Sequence, residues 1–337
     1  MQFGALGASV FFTHGLSSFN KFLPSPEPKN IIRPKCLSPG DNVAVVGLAG
    51  ALWDLTVVDS FRSTLNALGL NVCFAPSVFQ RFGYLAGKDE DRLEDLKQNL
   101  YDPEIKAIFF IRGGWGTARL MDKIKWNWFS ENPKIIVGFS DITYLLNAIT
   151  HETGLVTFHG PVGNSGWNNF TVEALKLSLF QVKPLTYKVD VQEKNASFIQ
   201  KNGKTSGALV GGNLCVFTSM LGSPFFPDCK NKVLFLEETD EEPYSIDRML
   251  TSLRLAGVFN QINGLILGKF SKCSPETPSQ SFTLNEVFHL HFKDADFPIM
   301  SNAPIGHNRN KWTLPLGVEL ELDTETSTIR YLYPSVV

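Results

Sequence analysis

Runs of consecutive apolar residues, separated by amphipathic stretches, constrain this chain more than any other feature. "NVAVVGLAG" (42–50), "KAIFFI" (106–111) and "PKIIVGF" (133–139) show no polar–apolar alternation. A strand with one wet face alternates, whereas a continuous apolar strand is covered on both faces. Between these runs, "DSFRSTLNALG" (59–69) puts Phe61, Leu65 and Leu68 on one helical face and stops at Gly69. "KDEDRLEDLKQNL" (88–100) does the same with Leu93, Leu96 and Leu100. Such alternation predicts a parallel sheet between helical layers, an α/β fold.

After "GLVTFHGPVG" the pattern loosens, and the polar stretch Val189 to Gly207 reads as a connection or exposed hairpin. The second half reopens with "GALVGGNLCVFTSMLGS", the strand "KVLFLEE", the helix "PYSIDRMLTSLRLAG" and the strand "INGLILG". It closes with the β-like runs "GVELELD" and "TIRYLY". The expected organisation is an N-terminal parallel-sheet α/β domain over 35–165, a connection over 166–205 and a smaller, strand-rich α/β domain over 206–337. Ahead of them, residues 1–34 read as a poorly ordered leader and linker. "LPSPEPKNIIRP" is too proline-rich for a helix, and the apolar run before it has no preceding Lys or Arg and is soon interrupted by His14.

No run reaches the roughly 18 apolar residues of a membrane span. A formal net charge of −2, with Lys and Arg spread along the chain, argues against a nucleic-acid or anionic-membrane partner. A small neutral or zwitterionic substrate fits better. Five scattered cysteines without a C-x-x-C pair argue against a disulfide framework or zinc knuckle and suit a reducing, cytoplasmic setting.

Chemistry is concentrated at strand ends. Ser140 follows "KIIVGF" and precedes "DITYLLNAI", whose Ile142, Leu145, Leu146 and Ile149 recur at helical spacing. A serine there is either a nucleophile on a tight elbow or, with Asp141, a helix cap. Ile142 stands where G-x-S-x-G has its second glycine, which leaves both readings open. In "FFIRGGWGTARL" the glycines suit close backbone approach, with Gly114 as a possible oxyanion donor, and Arg112 could bind a substrate carboxylate or form an ion pair. The spacing is not that of a dinucleotide loop.

Of the six histidines, His159 and His307 lie in glycine- and proline-bounded loops after β-like runs, where catalytic groups are usually mounted. Nothing intrinsic chooses between them. His289 and His291 are two apart in a helical run and make a poor metal pair. An orienting acid would be Glu237 or Glu238, directly after "VLFL", although five acids between Glu237 and Glu242 also describe a solvated turn.

Taken together, "KCLSPGDNVAVVGLAG", "IRGGWGTARLMDKI", "GFSDITYLLNAI", "FHGPV", "GGNLCVFTSMLGSPFFPD", "KVLFLEETDEEPYSIDRMLTSLRLAG" and "IGHNRNKWTLPLGVELELD" resemble the L,D-carboxypeptidases. That family of serine peptidases includes murein tetrapeptide carboxypeptidases and microcin C resistance peptidases. The resemblance implies Ser140 as nucleophile, Glu237 as triad acid and His307 as general base, with the serine in the N-terminal domain and the other two in the C-terminal one. It implies oxyanion donors at Gly114 and Asp141, no metal or organic cofactor, a homodimer and a muropeptide tetrapeptide losing its terminal D-alanine. The chain departs from the family in "VGLAGAL" and in Trp115, where tyrosine is common, both expected to line the cleft. Two other functions stay open: a microcin-type peptidase cleaving peptidyl-nucleotides, with Trp115 or Trp167 stacking on the base, and a catalytically silent muropeptide-binding protein.

Overall fold

The computed structural model describes residues 31–190 and 199–337. Most of the leader, residues 1–30, and the centre of the expected connection, residues 191–198, lie outside them. Backbone pairing is present before Lys35: Ile32 donates to Gly154 O and accepts from Val156 N, each at 2.9 Å.

The first half alternates as its pattern predicts. β1 (Asn42–Val46), α1 (Thr56–Ala67), β2 (Asn71–Phe74), α2 (Asp89–Tyr101), β3 (Ile105–Phe110), α3 (Asn127–Glu131), β4 (Ile135–Gly138), α4 (Thr143–Thr153) and β5 (Thr157–His159) follow in order. Then come α5 (Asn169–Leu179), β6 (Thr186–Lys188), β7 (Lys204–Asn213), α6 (Leu214–Ser219), β8 (Val233–Thr239), α7 (Pro243–Leu255) and β9 (Gly264–Ser271). The chain ends with α8 (Leu284–Phe292), β10 (Ile299–Met300), β11 (Leu314–Leu316), β12 (Glu319–Asp323) and β13 (Thr328–Tyr331).

Among the described residues these strands form two sheets, ordered β11-β5-β4-β3-β1-β2 and β10-β9-β8-β7-β12-β13-β6. In the first, β1 to β5 run parallel and are almost entirely buried where apolar runs were read, as at Val43 to Val46 and Ile135 to Val137. Its sixth strand, β11, is antiparallel to β5 and comes from beyond residue 206, with Leu314 opposite His159. The second sheet joins a parallel β7-β8-β9-β10 block to antiparallel β12, β13 and β6. This is a two-domain α/β fold with mixed sheets.

Helix α4 is the seam between the domains. Every residue from Thr143 to Ile149 is buried, as expected of a helix covered on all sides. Asn147 donates to Gly211 O (2.8 Å) and accepts from Gly211 N (3.2 Å), while Thr143 Oγ1 accepts from Asn213 N (3.1 Å). A side chain at Gly212 would overlap Thr143, so the helix and β7 meet backbone to side chain. Replacing Asn147 with leucine leaves both Gly211 groups without their partner in a buried interface. The expected loss is about 2–3 kcal/mol of unfolding free energy, read from the urea midpoint; an unchanged midpoint would refute the seam's role.

Candidate active site

Ser140 sits where β4 gives way to α4, and its backbone is left-handed, with φ 62°. A non-glycine residue held there stores strain of about 1–3 kcal/mol, and here the strain falls on the serine between strand and helix. Neither the short 3₁₀ turn Ser140–Ile142 nor α4 has a side-chain cap, so the capping alternative is not realised. The Asp141 carboxylate instead accepts the Thr117 backbone N–H at 2.8 Å, and burial pushes its pKa up.

Two glycines make room for this turn. A Cβ at Gly138 would lie 2.7 Å from Ile142 Cγ2, and one at Gly113 would lie 2.8 Å from Ser140 Oγ and 3.4 Å from the Asp141 nitrogen. The glycine loop therefore passes directly over Ser140, and the Asp141–Thr117 bond fastens its far end. Arg92, which sequence reasoning missed, is fully buried and donates to Leu48 O, to Gly116 O (3.1 Å) and to Asp89 (2.7 Å). It ties the loop after β1 to the glycine loop. Its place in an ordinary charged helix face, "KDEDRLEDLKQNL", hid it.

The second sheet supplies an acid and a base. His307 Nδ1 lies 2.8 Å from Glu237 Oε2, and the His307 backbone N–H donates to the same oxygen at 3.2 Å. Glu237 is fully buried at the end of β8, and Gly306, at φ 98°, has no room for a Cβ against its carboxylate. Burial pushes the Glu237 carboxyl up, but the hydrogen bond and charge of His307 outweigh it and hold it below the usual range. The same pair raises His307 against the lowering effect of its own burial.

Glu238 faces away from the histidine. Its oxygens accept from Asn213 Nδ2 (2.7 Å), Cys215 N (2.7 Å) and Thr239 N (2.9 Å), and burial followed by the charge of Glu237 pushes it up to about 7. His159 is buried on β5, is packed edge-on to Phe139 and Phe235, and is pushed down to about 4 by burial. It is neutral at ordinary pH and has no carboxylate partner.

Ser140 and His307 line one cleft of about 410 Å³, together with Arg112, Gly114, Asn164 and Lys311. Arg112 donates to Ala51 O (2.8 Å) and Gly113 O (3.3 Å), so its contacts are carbonyls rather than an ion pair. Trp115 is not among the lining residues: it is half exposed and packs edge-on against Tyr84, with ring centres 5.5 Å apart. Trp167 is stacked on Phe61 at 5.4 Å, a packing role. Lys311 was not anticipated, since a lysine in the polar loop "GHNRNK" carries no signal of burial. Among the described residues no group of three or more His, Cys, Asp or Glu could hold a metal, and His291 pairs with Asp247 at 2.7 Å. Nor is any helix among them long and apolar enough to cross a membrane.

Known proteins share this plan. The LD-carboxypeptidase N-terminal domain profile matches residues 43–160, and the C-terminal domain profile matches residues 206–322. A probable murein peptide carboxypeptidase of Bacillus subtilis is 36% identical over 307 residues, 88% of this chain and 93% of the relative. The murein tetrapeptide carboxypeptidase of Pseudomonas aeruginosa is 30% identical over 288 residues, 82% of this chain and 91% of that one. Among solved structures, the microcin C7 self-immunity protein MccF in complex with aspartyl sulfamoyl adenosine matches with a TM-score of 0.79 and 25% identity, covering 91% of this chain and 100% of that one.

Proposed function

The chain belongs to the LD-carboxypeptidase family, and from that premise we propose that it is a serine peptidase releasing the terminal D-alanine of muropeptide tetrapeptides. The observation that carries this reading is the cleft shared by Ser140, held at φ 62°, and His307, whose Nδ1 is bonded to the buried Glu237. A sensor of muropeptides would need neither the strained serine nor a carboxylate buried behind the histidine.

In the mechanism, His307 Nε2 takes the proton from Ser140 Oγ as that oxygen attacks the carbonyl between the L-centre of meso-diaminopimelate and D-alanine. Glu237 fixes the imidazole tautomer and stabilises the imidazolium. The amides of Gly114 and Asp141 receive the oxyanion, each worth about 3–4 kcal/mol in comparable sites. His307 then gives the proton to the departing D-alanine amine, and water, deprotonated by the same histidine, resolves the acyl-enzyme.

The test is incubation of purified protein with the tetrapeptide, following D-alanine by mass spectrometry. Release is the expected result; none from a folded protein would overturn the tetrapeptide assignment. The exposed Tyr84–Trp115 pair favours a second reading, in which an aromatic face beside the glycine loop stacks on the base of a peptidyl-nucleotide. Hydrolysis of a peptidyl-sulfamoyl or phosphoramidate nucleotide, with the tetrapeptide left intact, would select that reading.

A further inference from the structure

We propose that Lys311 is the seat of the substrate's terminal carboxylate, and that Arg112, the other cation of the cleft, shapes the loop instead. This rests on the carboxypeptidase reading and names the residue that would make the site an exopeptidase.

Lys311 is only 6% exposed, yet it lines the same cleft as Ser140 and His307. Its ammonium donates to Asn308 O and lies 5.7 Å from the centre of the Phe139 ring. An ammonium has three N–H donors, and one carbonyl with one ring face is thin compensation for a buried charge. Among the described residues no aspartate or glutamate lines the cleft, and Glu237, whose charge reaches Lys311, is engaged with His307. The cleft is therefore electropositive and suited to an anionic group.

Position singles out a carboxylate at a chain end. Phe139 immediately precedes Ser140, and its ring is 4.7 Å from the His307 ring and 5.7 Å from Lys311 Nζ. Base and cation thus both pack on the residue next to the serine, and the residue leaving after acylation would carry its carboxylate one residue beyond the scissile carbonyl. The loop is also held rigid. The Lys311 backbone N–H donates to Thr171 Oγ1 (3.2 Å), and Arg309 O accepts from Asn168 Nδ2 (3.0 Å) at the start of α5. Arg112 is held to the glycine loop and to the loop after β1 by its Nε and Nη1 bonds to Gly113 O and Ala51 O.

The experiment compares a tetrapeptide ending in D-alanine with the same peptide ending in D-alaninamide, on wild type, Lys311→Met and Lys311→Arg. Wild type is expected to prefer the free acid by at least about 30-fold in kcat/KM, Lys311→Met to fall to near parity by losing far more activity on the acid than on the amide, and Lys311→Arg to keep most of the preference. A urea midpoint of Lys311→Met close to that of wild type reports an intact fold. A preference that survives in Lys311→Met, or is absent from wild type, overturns the assignment. Should wild type cleave neither peptide, the carboxypeptidase reading fails separately, and calorimetric titration of both peptides decides the binding site. Selective binding of the acid that disappears in Lys311→Met supports the seat; binding blind to the carboxylate, or absent, refutes it.

Discussion

Ser140→Ala protein is expected to release D-alanine about 10⁶-fold more slowly than wild type, the scale of loss when a serine peptidase is deprived of its nucleophile. Its KM for the tetrapeptide should change little, because the cations and amides of the cleft remain. The backbone at φ 62° adds a second readout. Alanine retains the strain of a left-handed residue, whereas glycine does not, so Ser140→Gly should be equally inactive but more stable by about 1 kcal/mol after its own entropic penalty. Paired urea titrations with the activity assay test both parts. A Ser140→Ala enzyme that still turns over would remove the serine from the chemistry, and a destabilised glycine variant would remove the strain.

Glu237→Gln should lower kcat/KM about 10⁴-fold, as when a triad acid becomes an amide and the imidazole takes the wrong tautomer. The pH profile should shift with it. His307 must be neutral to accept a proton, and its pKa is raised above the ordinary 6.5 because Glu237 outweighs burial. Wild-type activity therefore rises with pH through that raised value and is lost below it. In Glu237→Gln burial acts without the opposing carboxylate, so the residual activity should persist to lower pH. His159, pushed down to about 4, stays neutral across this range and does not blur the limb. An acid limb in the same place in both proteins would mean that Glu237 does not govern the titrating group.

The layered half of the fold was legible because burial on both faces leaves the runs Val43 to Val46, Ala107 to Phe110 and Ile135 to Gly138 without a polar residue. Ser140 was legible as a position, since a strand, a turn and a helix meet there, but the choice between cap and elbow depends on φ, which spacing does not encode. Glu237 and Glu238 point to opposite sides of β8, and only the fold says which side His307 occupies. Likewise His159 and His307 share similar sequence surroundings, yet one ends inside the sheet and the other stands beside a carboxylate. Strand β11 and Lys311 were missed for a common reason. Both depend on contacts with residues far away in the chain, and a three-residue strand or a lone lysine has no periodicity to reveal it.

Strand β11 also bears on how the molecule is made. It covers β5, the strand next to the one that carries the serine turn, and it does so from the far end of the chain. Until residue 316 has been synthesised, β5 is a bare sheet edge flanked by apolar neighbours, a ready template for another nascent copy. The finished edge is blunt: β11 is three residues long and its middle residue, Pro315, has no N–H to offer. A ribosome halted after the first domain would thus release a sticky fragment, whereas the complete chain closes its own seam and hides it.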